Sequence, residues 1–269
     1  PAVFIYGDLN YYFFDEIEAK KYYDPFITYD YRVSSNGSTI NKYYCGAALA
    51  ELPFFLIAHG ITYVSDYDSD GYSKPYLLLM SIASLSYLLI GLLYLNSILK
   101  TYKLGEWARS MTLFTAVFGT HLFFYTVGEA GTSHIFSFTF IAMFFFYARK
   151  LFMSFRNRYV LFLGIILGMI VLIRPINGLV VLILPFAAGN GQTLLKGVKS
   201  VIRSRIWLLA SFLSFAGIVF IQLIIYKVST GIFWVYSYGE EGFNFLSPHF
   251  IDILFSYKKV PVLNHLIFV

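Results

Sequence analysis

The chain has 269 residues, of which 58% are hydrophobic and only 13% charged, with a mean hydropathy of +0.66. Soluble domains carry about 25% charged residues, so a soluble globular domain is excluded. The net charge of +5 does not call for nucleic acid, because the basic residues sit in short loops between apolar runs, where they set orientation.

Residues 1–44 are aromatic and polar and hold Asp8, Asp15, Glu16, Glu18, Asp24 and Asp30, so they cannot lie in lipid. The apolar stretch 46–64 is interrupted by Glu51, Pro53 and His59, which favours a helix lying in the interface over one that crosses. Spanning helices are predicted at 76–99, 111–127, 134–153 and 207–227, each close to the roughly 20 apolar residues a crossing needs. Two shorter helices, 159–173 and 176–188, flank Arg174-Pro175. The sequence shows neither an initiator Met nor a signal-peptide pattern and stops within an apolar stretch, so we expect it to be a piece of a longer protein.

Orientation follows from Lys and Arg in short loops. Loops 100–109, 149–158 and 189–206 are rich in both and are predicted to be cytoplasmic. Loop 65–75 holds Asp66, Asp68 and Asp70, and loop 128–133 holds Glu129; these face the other side. The alternation closes if 159–188 makes one out-and-back excursion, which puts Arg174 towards the outer side. The chain then divides into an outer first loop, 1–75, carrying the interfacial helix; a transmembrane domain, 76–227; and an outer loop, 228–269, that leads into a further apolar segment. This is an all-α, polytopic transmembrane pattern.

The aromatic share is 20%, which suits interfacial belts and wide cavities. The single cysteine, Cys45, excludes an internal disulfide and a cysteine-cluster metal site, and reads as a small buried apolar residue. No phosphate-binding glycine loop, dinucleotide fingerprint or zinc-binding helix is present in the sequence. Arg174 is the most informative residue. A guanidinium at membrane depth costs roughly 2.5–3.5 kcal/mol and needs an anionic partner or a wet cavity. A phosphate suits its planar donor fork, and an internal ion pair with Glu129 is the alternative. In the turn Gly128-Glu129-Ala130-Gly131-Thr132-Ser133-His134, Glu129 and His134 either bind a sugar or shuttle a proton, or else form a tight turn with Glu129 solvated and His134 at a helix cap. Lys42, after Asn41, either meets a substrate phosphate or snorkels to lipid phosphates. Tyr238, Glu241 and His249 lie in an aromatic, glycine-flanked loop that suits a sugar, or else simply anchors in the interface. Asn36-Gly37-Ser38 matches a glycosylation sequon and carries little weight.

The stretches INKYYCGAALAELPFFLIAHG, GEAGTSHIFSF, LIRPIN and YSYGEEGFNFLSPHFIDILFSYKK resemble bacterial membrane glycosyltransferases of the GT-C class, in an uncharacterised branch of the protein mannosyltransferase and aminoarabinose transferase superfamily. The resemblance implies many transmembrane helices, with juxtamembrane helices in the first outer loop. It implies inverting transfer of a sugar from a polyprenyl-phosphate carrier to a glycan, lipid or protein acceptor at the periplasmic face of the bacterial inner membrane. No cofactor is implied, and a divalent metal is compatible although no ligand spacing supports one. Lys42 and Arg174 then correspond to phosphate-binding residues, and Glu129 and His134 border the catalytic cavity. Asn41, Asn177, Tyr238, Glu241 and His249 are the corresponding substrate-binding candidates. The family's catalytic carboxylate follows a first spanning helix that this sequence does not include, which leaves Asp8, Asp15 and Glu16 as early substitutes. The rival expectations are a transporter or flippase of a lipid-phosphate or anionic substrate, and a non-catalytic membrane subunit.

Overall fold

The computed structural model describes residues 1–14, 17, 32–35 and 37–237. It is predominantly helical, with one small antiparallel hairpin, β1 (Arg32–Ser35) and β2 (Ser38–Asn41), in which Arg32 pairs with Asn41. The helices that follow are α1 (Gly46–Tyr63), α2 (Lys74–Thr101), α3 (Glu106–Phe118), α4 (Leu122–Val127), α5 (Ser133–Ser154) and α6 (Arg158–Ile173). A 3-10 helix, Pro175–Ile183, then leads into α7 (Leu184–Ala188), α8 (Gly191–Arg203) and α9 (Arg205–Thr230). Among the described residues, four helices are long and apolar enough to cross a membrane: α1, α2, α5 and α9.

The sequence explains where the long helices begin and end. Pro75 sits in the first turn of α2, where its missing N–H costs nothing. Phe155 and Gly231 take left-handed φ values of 49° and 77° and close α5 and α9. The predicted spans 76–99, 134–153 and 207–227 thus lie within helices that extend them by one to three residues at each end.

One predicted span comes out differently. The stretch 111–127 is not one helix: α3 stops at Phe118, Gly119 to His121 intervene, and α4 has only six residues. The Thr120 hydroxyl donates to the Ala116 carbonyl at 2.6 Å, a local bond that competes with continued helix, next to a glycine that weakens it. The stretch 46–64 forms a helix of 18 residues, as expected, and its length and apolarity would also suffice for a span. It packs antiparallel on the first half of α2: His59 Nδ1 is 2.6 Å from the Tyr76 hydroxyl, and the Tyr87 hydroxyl donates to the Ala50 carbonyl at 3.0 Å. The N–H of Gly131 donates to Ser84 Oγ at 2.9 Å, so α5 starts level with Ser84, and the first turns of α2 project beyond it with α1 alongside.

The short pair around Arg174 is explained by its proline. A residue before proline is disfavoured in the helical region, and Arg174 is extended, with φ −150° and ψ 117°. The 16 residues of α6 rise about 24 Å. The return uses nine 3-10 residues, with about 2 Å of rise each, and five α residues, together about 25 Å. The tighter 3-10 winding lets a shorter return match α6 in length.

Glycines permit the closest helix contacts. A β-carbon on Gly164 would stand 2.4 Å from the Ser211 carbonyl oxygen, and one on Gly168 would stand 3.1 Å from Ile218, so α6 and α9 meet along a Gly-x-x-x-Gly face. Gly46, at the start of α1, presses equally closely on the backbone of Leu172 and Ile173.

The three basic loops share one end of the bundle. Arg149 donates to the Ala187 carbonyl at 2.9 Å and stacks over Tyr102, whose hydroxyl reaches the Phe186 carbonyl, while Ser204 Oγ donates to Asn157 Oδ1 at 2.6 Å. The hairpin, the 128–133 turn and Arg174 lie at the opposite end.

Candidate functional site

At the end opposite the basic loops, Arg174 is fixed by its own backbone. Its N–H donates to the Ile170 carbonyl at 3.1 Å and its carbonyl accepts from the Asn177 N–H at 2.9 Å. The half-buried guanidinium then faces the first turn of α5. Nε donates to Ser133 Oγ at 2.8 Å, and Nη2 stands 3.5 Å from His134 Nε2. A guanidinium offers donors only, so in that contact Nε2 is the accepting nitrogen. The His134 ring stacks on Tyr125 with centroids 3.9 Å apart and planes 14° from parallel, which fixes its orientation. One turn further along α5, Ser137 Oγ accepts from Asn177 Nδ2 at 2.9 Å.

The structure thus brings together Arg174, His134 and Asn177 and adds Ser133 and Ser137. Glu129 does not join them. It is exposed, and no carboxylate reaches Arg174 among the described residues. The chain composition makes the same point: no Asp or Glu occurs from Ala130 to Gly239. The expected alternative of an Arg174–Glu129 ion pair is therefore absent, and the guanidinium keeps donors for an anion.

A second group of residues lines a cavity of about 460 Å³ between the first 80 residues and α9. Asn41 and Cys45 border it. Asn41 Oδ1 accepts from the Tyr43 N–H at 2.8 Å. The Cys45 N–H donates to Gln222 Oε1 at 2.8 Å, tying the start of α1 to α9. Burial pushes the Cys45 thiol up to about 11, so the thiolate needed for nucleophilic chemistry is scarce at neutral pH. Lys42 is buried beside this wall, and its carbonyl accepts from Ser237 Oγ at 2.8 Å.

The sequence reading passed over the residue that the cavity makes most conspicuous. Glu51 is only 7% exposed, lines the cavity, and its Oε1 has no hydrogen-bond partner among the described residues. A β-carbon on Gly131, which has φ +88°, would stand 3.1 Å from that oxygen. The Gly131–His134 turn therefore touches Glu51 at one end and Arg174 at the other. The signal in the sequence was a carboxylate inside an apolar helix, a costly placement that marks a functional site by default.

Asp8 sits elsewhere. Oδ1 accepts from the Asn10 N–H and Oδ2 from the Tyr12 N–H, both at 2.8 Å, so this carboxylate organises a local turn. Asp15, Glu16, Tyr238, Glu241 and His249 lie outside the described residues. Among the described residues no three His, Cys, Asp or Glu side chains converge as metal ligands would.

Chemically, the arrangement offers anion-binding donors at Arg174, an oriented imidazole beside them, and a desolvated carboxylate facing a cavity across one turn of chain. No protein family, no curated relative and no solved structure matches this chain.

Proposed function

We propose that this end of the bundle binds a polyprenyl-phosphate sugar and transfers the sugar to an acceptor by inverting displacement, on the periplasmic side of a bacterial inner membrane, as in GT-C glycosyltransferases. The observation that carries the reading is the Arg174 guanidinium, held by Ser133 and His134 and facing no carboxylate among the described residues. A phosphate fits such donors, and its growing negative charge during departure is stabilised by them.

Glu51 supplies the carboxylate that Asp8 does not. In the transfer, the acceptor oxygen bonds to the anomeric carbon from the face opposite the phosphate. The bond from that carbon to the phosphate oxygen breaks, and the lipid phosphate leaves with the electron pair. The acceptor proton passes to Glu51. The sugar is already activated on its carrier, so no nucleotide enters the step.

The test uses reconstituted protein with a labelled polyprenyl-phosphate sugar. Arg174→Ala is expected to lose donor binding and turnover, while Glu51→Gln keeps binding and loses turnover by roughly 10²–10⁴-fold, the usual worth of a general base. Unchanged donor binding in Arg174→Ala refutes the phosphate assignment. Donor binding with no turnover in the unaltered chain favours a non-catalytic lipid-phosphate-binding subunit.

A further inference from the structure

The opposite end of the bundle carries a separate device. Helix α8 has three faces. Gly197 is buried so tightly on Phe152 that a β-carbon would stand 2.4 Å from the ring, and Leu194 and Val201 flank it. Leu195, Val198 and Ile202, at helical spacing, are 62%, 46% and 60% exposed; Leu195 points outward, and Val198 and Ile202 also border the groove described next. Lys196, Lys199 and Arg203 occupy the remaining, solvent-facing side. An apolar stripe between a protein contact and a basic face is the pattern of a helix lying at a membrane surface. Phe152 belongs to the last turn of α5, so α8 sits where that helix leaves the hydrocarbon.

Behind α8 a groove of about 410 Å³ opens between α5, α6 and α9. Its walls include Phe152, Leu163, Leu167, Val201 and Phe215, with Ser211 as the lone polar side chain in the lining. It extends from Phe152 to Phe144, eight residues of α5 or about 12 Å along the bundle axis. It is therefore aligned with a lipid chain, with its mouth at the level of the basic residues.

We infer that this groove and the basic face of α8 together bind one anionic phospholipid of the surrounding bilayer, its acyl chain in the groove and its phosphate among Lys196, Lys199 and Arg203. Charge selects the occupant. No acid occurs from Ala130 to Gly239, and the Ser204–Asn157 bond brings Arg156 and Arg158 to the same end. The acid at this end outside that stretch, Glu106, is paired with Arg109 at 3.6 Å, and clustered Lys and Arg at a membrane surface draw negative charge from anionic headgroups. A free anion or an acidic protein surface would leave the groove and the outward stripe uncovered. The site does not depend on what binds at Arg174.

The experiment incubates the full chain with equal amounts of phosphatidylglycerol and phosphatidylcholine and reads retained lipid by native mass spectrometry. The unaltered protein is expected to keep phosphatidylglycerol preferentially. The Lys196→Gln/Lys199→Gln/Arg203→Gln variant is expected to lose that preference by about a hundredfold, at about fivefold per charge. Lys196→Arg/Lys199→Arg is expected to retain it, which separates charge from folding. Val201→Phe, which fills the groove, is expected to reduce retention of phosphatidylglycerol with the charges intact. The proposal is overturned if the neutralised variant keeps its preference, if both lipids are retained equally, or if inorganic phosphate displaces the lipid.

Discussion

Replacing Gly164 by Ala tests the core of the bundle directly. A β-carbon there would stand 2.3 Å from Ser211 Oγ and 2.4 Å from the Ser211 carbonyl oxygen. The hydroxyl can rotate away, but the carbonyl is helix backbone and cannot. Ordinary contact needs roughly 3.5 Å, so α6 and α9 must separate by about 1 Å. Forced overpacking of this kind costs about 1–3 kcal/mol, and at about 2–4 °C per kcal/mol the Tm should fall by roughly 2–12 °C. Cys45 provides the readout, because it is the sole cysteine, it is partly buried, and burial keeps its thiol protonated. A fluorogenic thiol reagent reports its exposure on heating. Gly217→Ala is the control: its β-carbon meets nothing within 4 Å, so it gains helix propensity without strain. If Gly164→Ala melts with or above Gly217→Ala, the close α6–α9 contact is wrong, and with it the placement of the groove behind α8.

Substitutions at three further positions probe other contacts. Gly131→Ala forces a β-carbon into a backbone with φ +88° and within 3.1 Å of Glu51 Oε1; we expect a loss of about 1–2 kcal/mol in thermal stability and a larger proportional loss of turnover than of donor binding. Arg174→Lys keeps the charge but loses the Nε donor to Ser133; partial donor binding, below that of the unaltered chain and above Arg174→Ala, is expected in a lipid-phosphate binding assay, and full binding would mean that charge alone is read. Arg149→Ala removes both the bond to the Ala187 carbonyl and the stacking on Tyr102, and should lower the Tm by the equivalent of about 1–3 kcal/mol, whereas Arg149→Lys should recover only part of it.

What was legible in the sequence follows a physical divide. Properties set locally could be read. The positions of α2, α5 and α9 follow from apolar length, and the break at Arg174 follows from the clash a proline imposes on the residue before it. The gathering of the basic loops at one end follows from the alternation of charge along the chain. The break in 111–127 was hidden because its apolar content is high, and only the short run Gly119-Thr120-His121 breaks the helix. Gly164 and Gly168 also display their spacing openly, but the partners they admit, Ser211 and Ile218, lie more than forty residues downstream.

The candidate site divides along the same line. Arg174 announces itself because a cation in an apolar run demands a reason. Glu51 makes the same demand, yet its surroundings come from Tyr11, Asn41, Gln222 and Tyr226, which no spacing rule connects. The two residues lie on helices that touch where Gly46 meets the end of α6, and the Gly131–His134 turn links them. That turn takes a left-handed φ of +88° that suits glycine, and a side chain at Gly131 would crowd Glu51 Oε1 at 3.1 Å. In the proposed function, one glycine lets a cation and an acid serve one substrate without forming a pair. An acid bonded to Arg174 would neutralise the donors a phosphate needs, and an acid remote from it could not serve the same substrate.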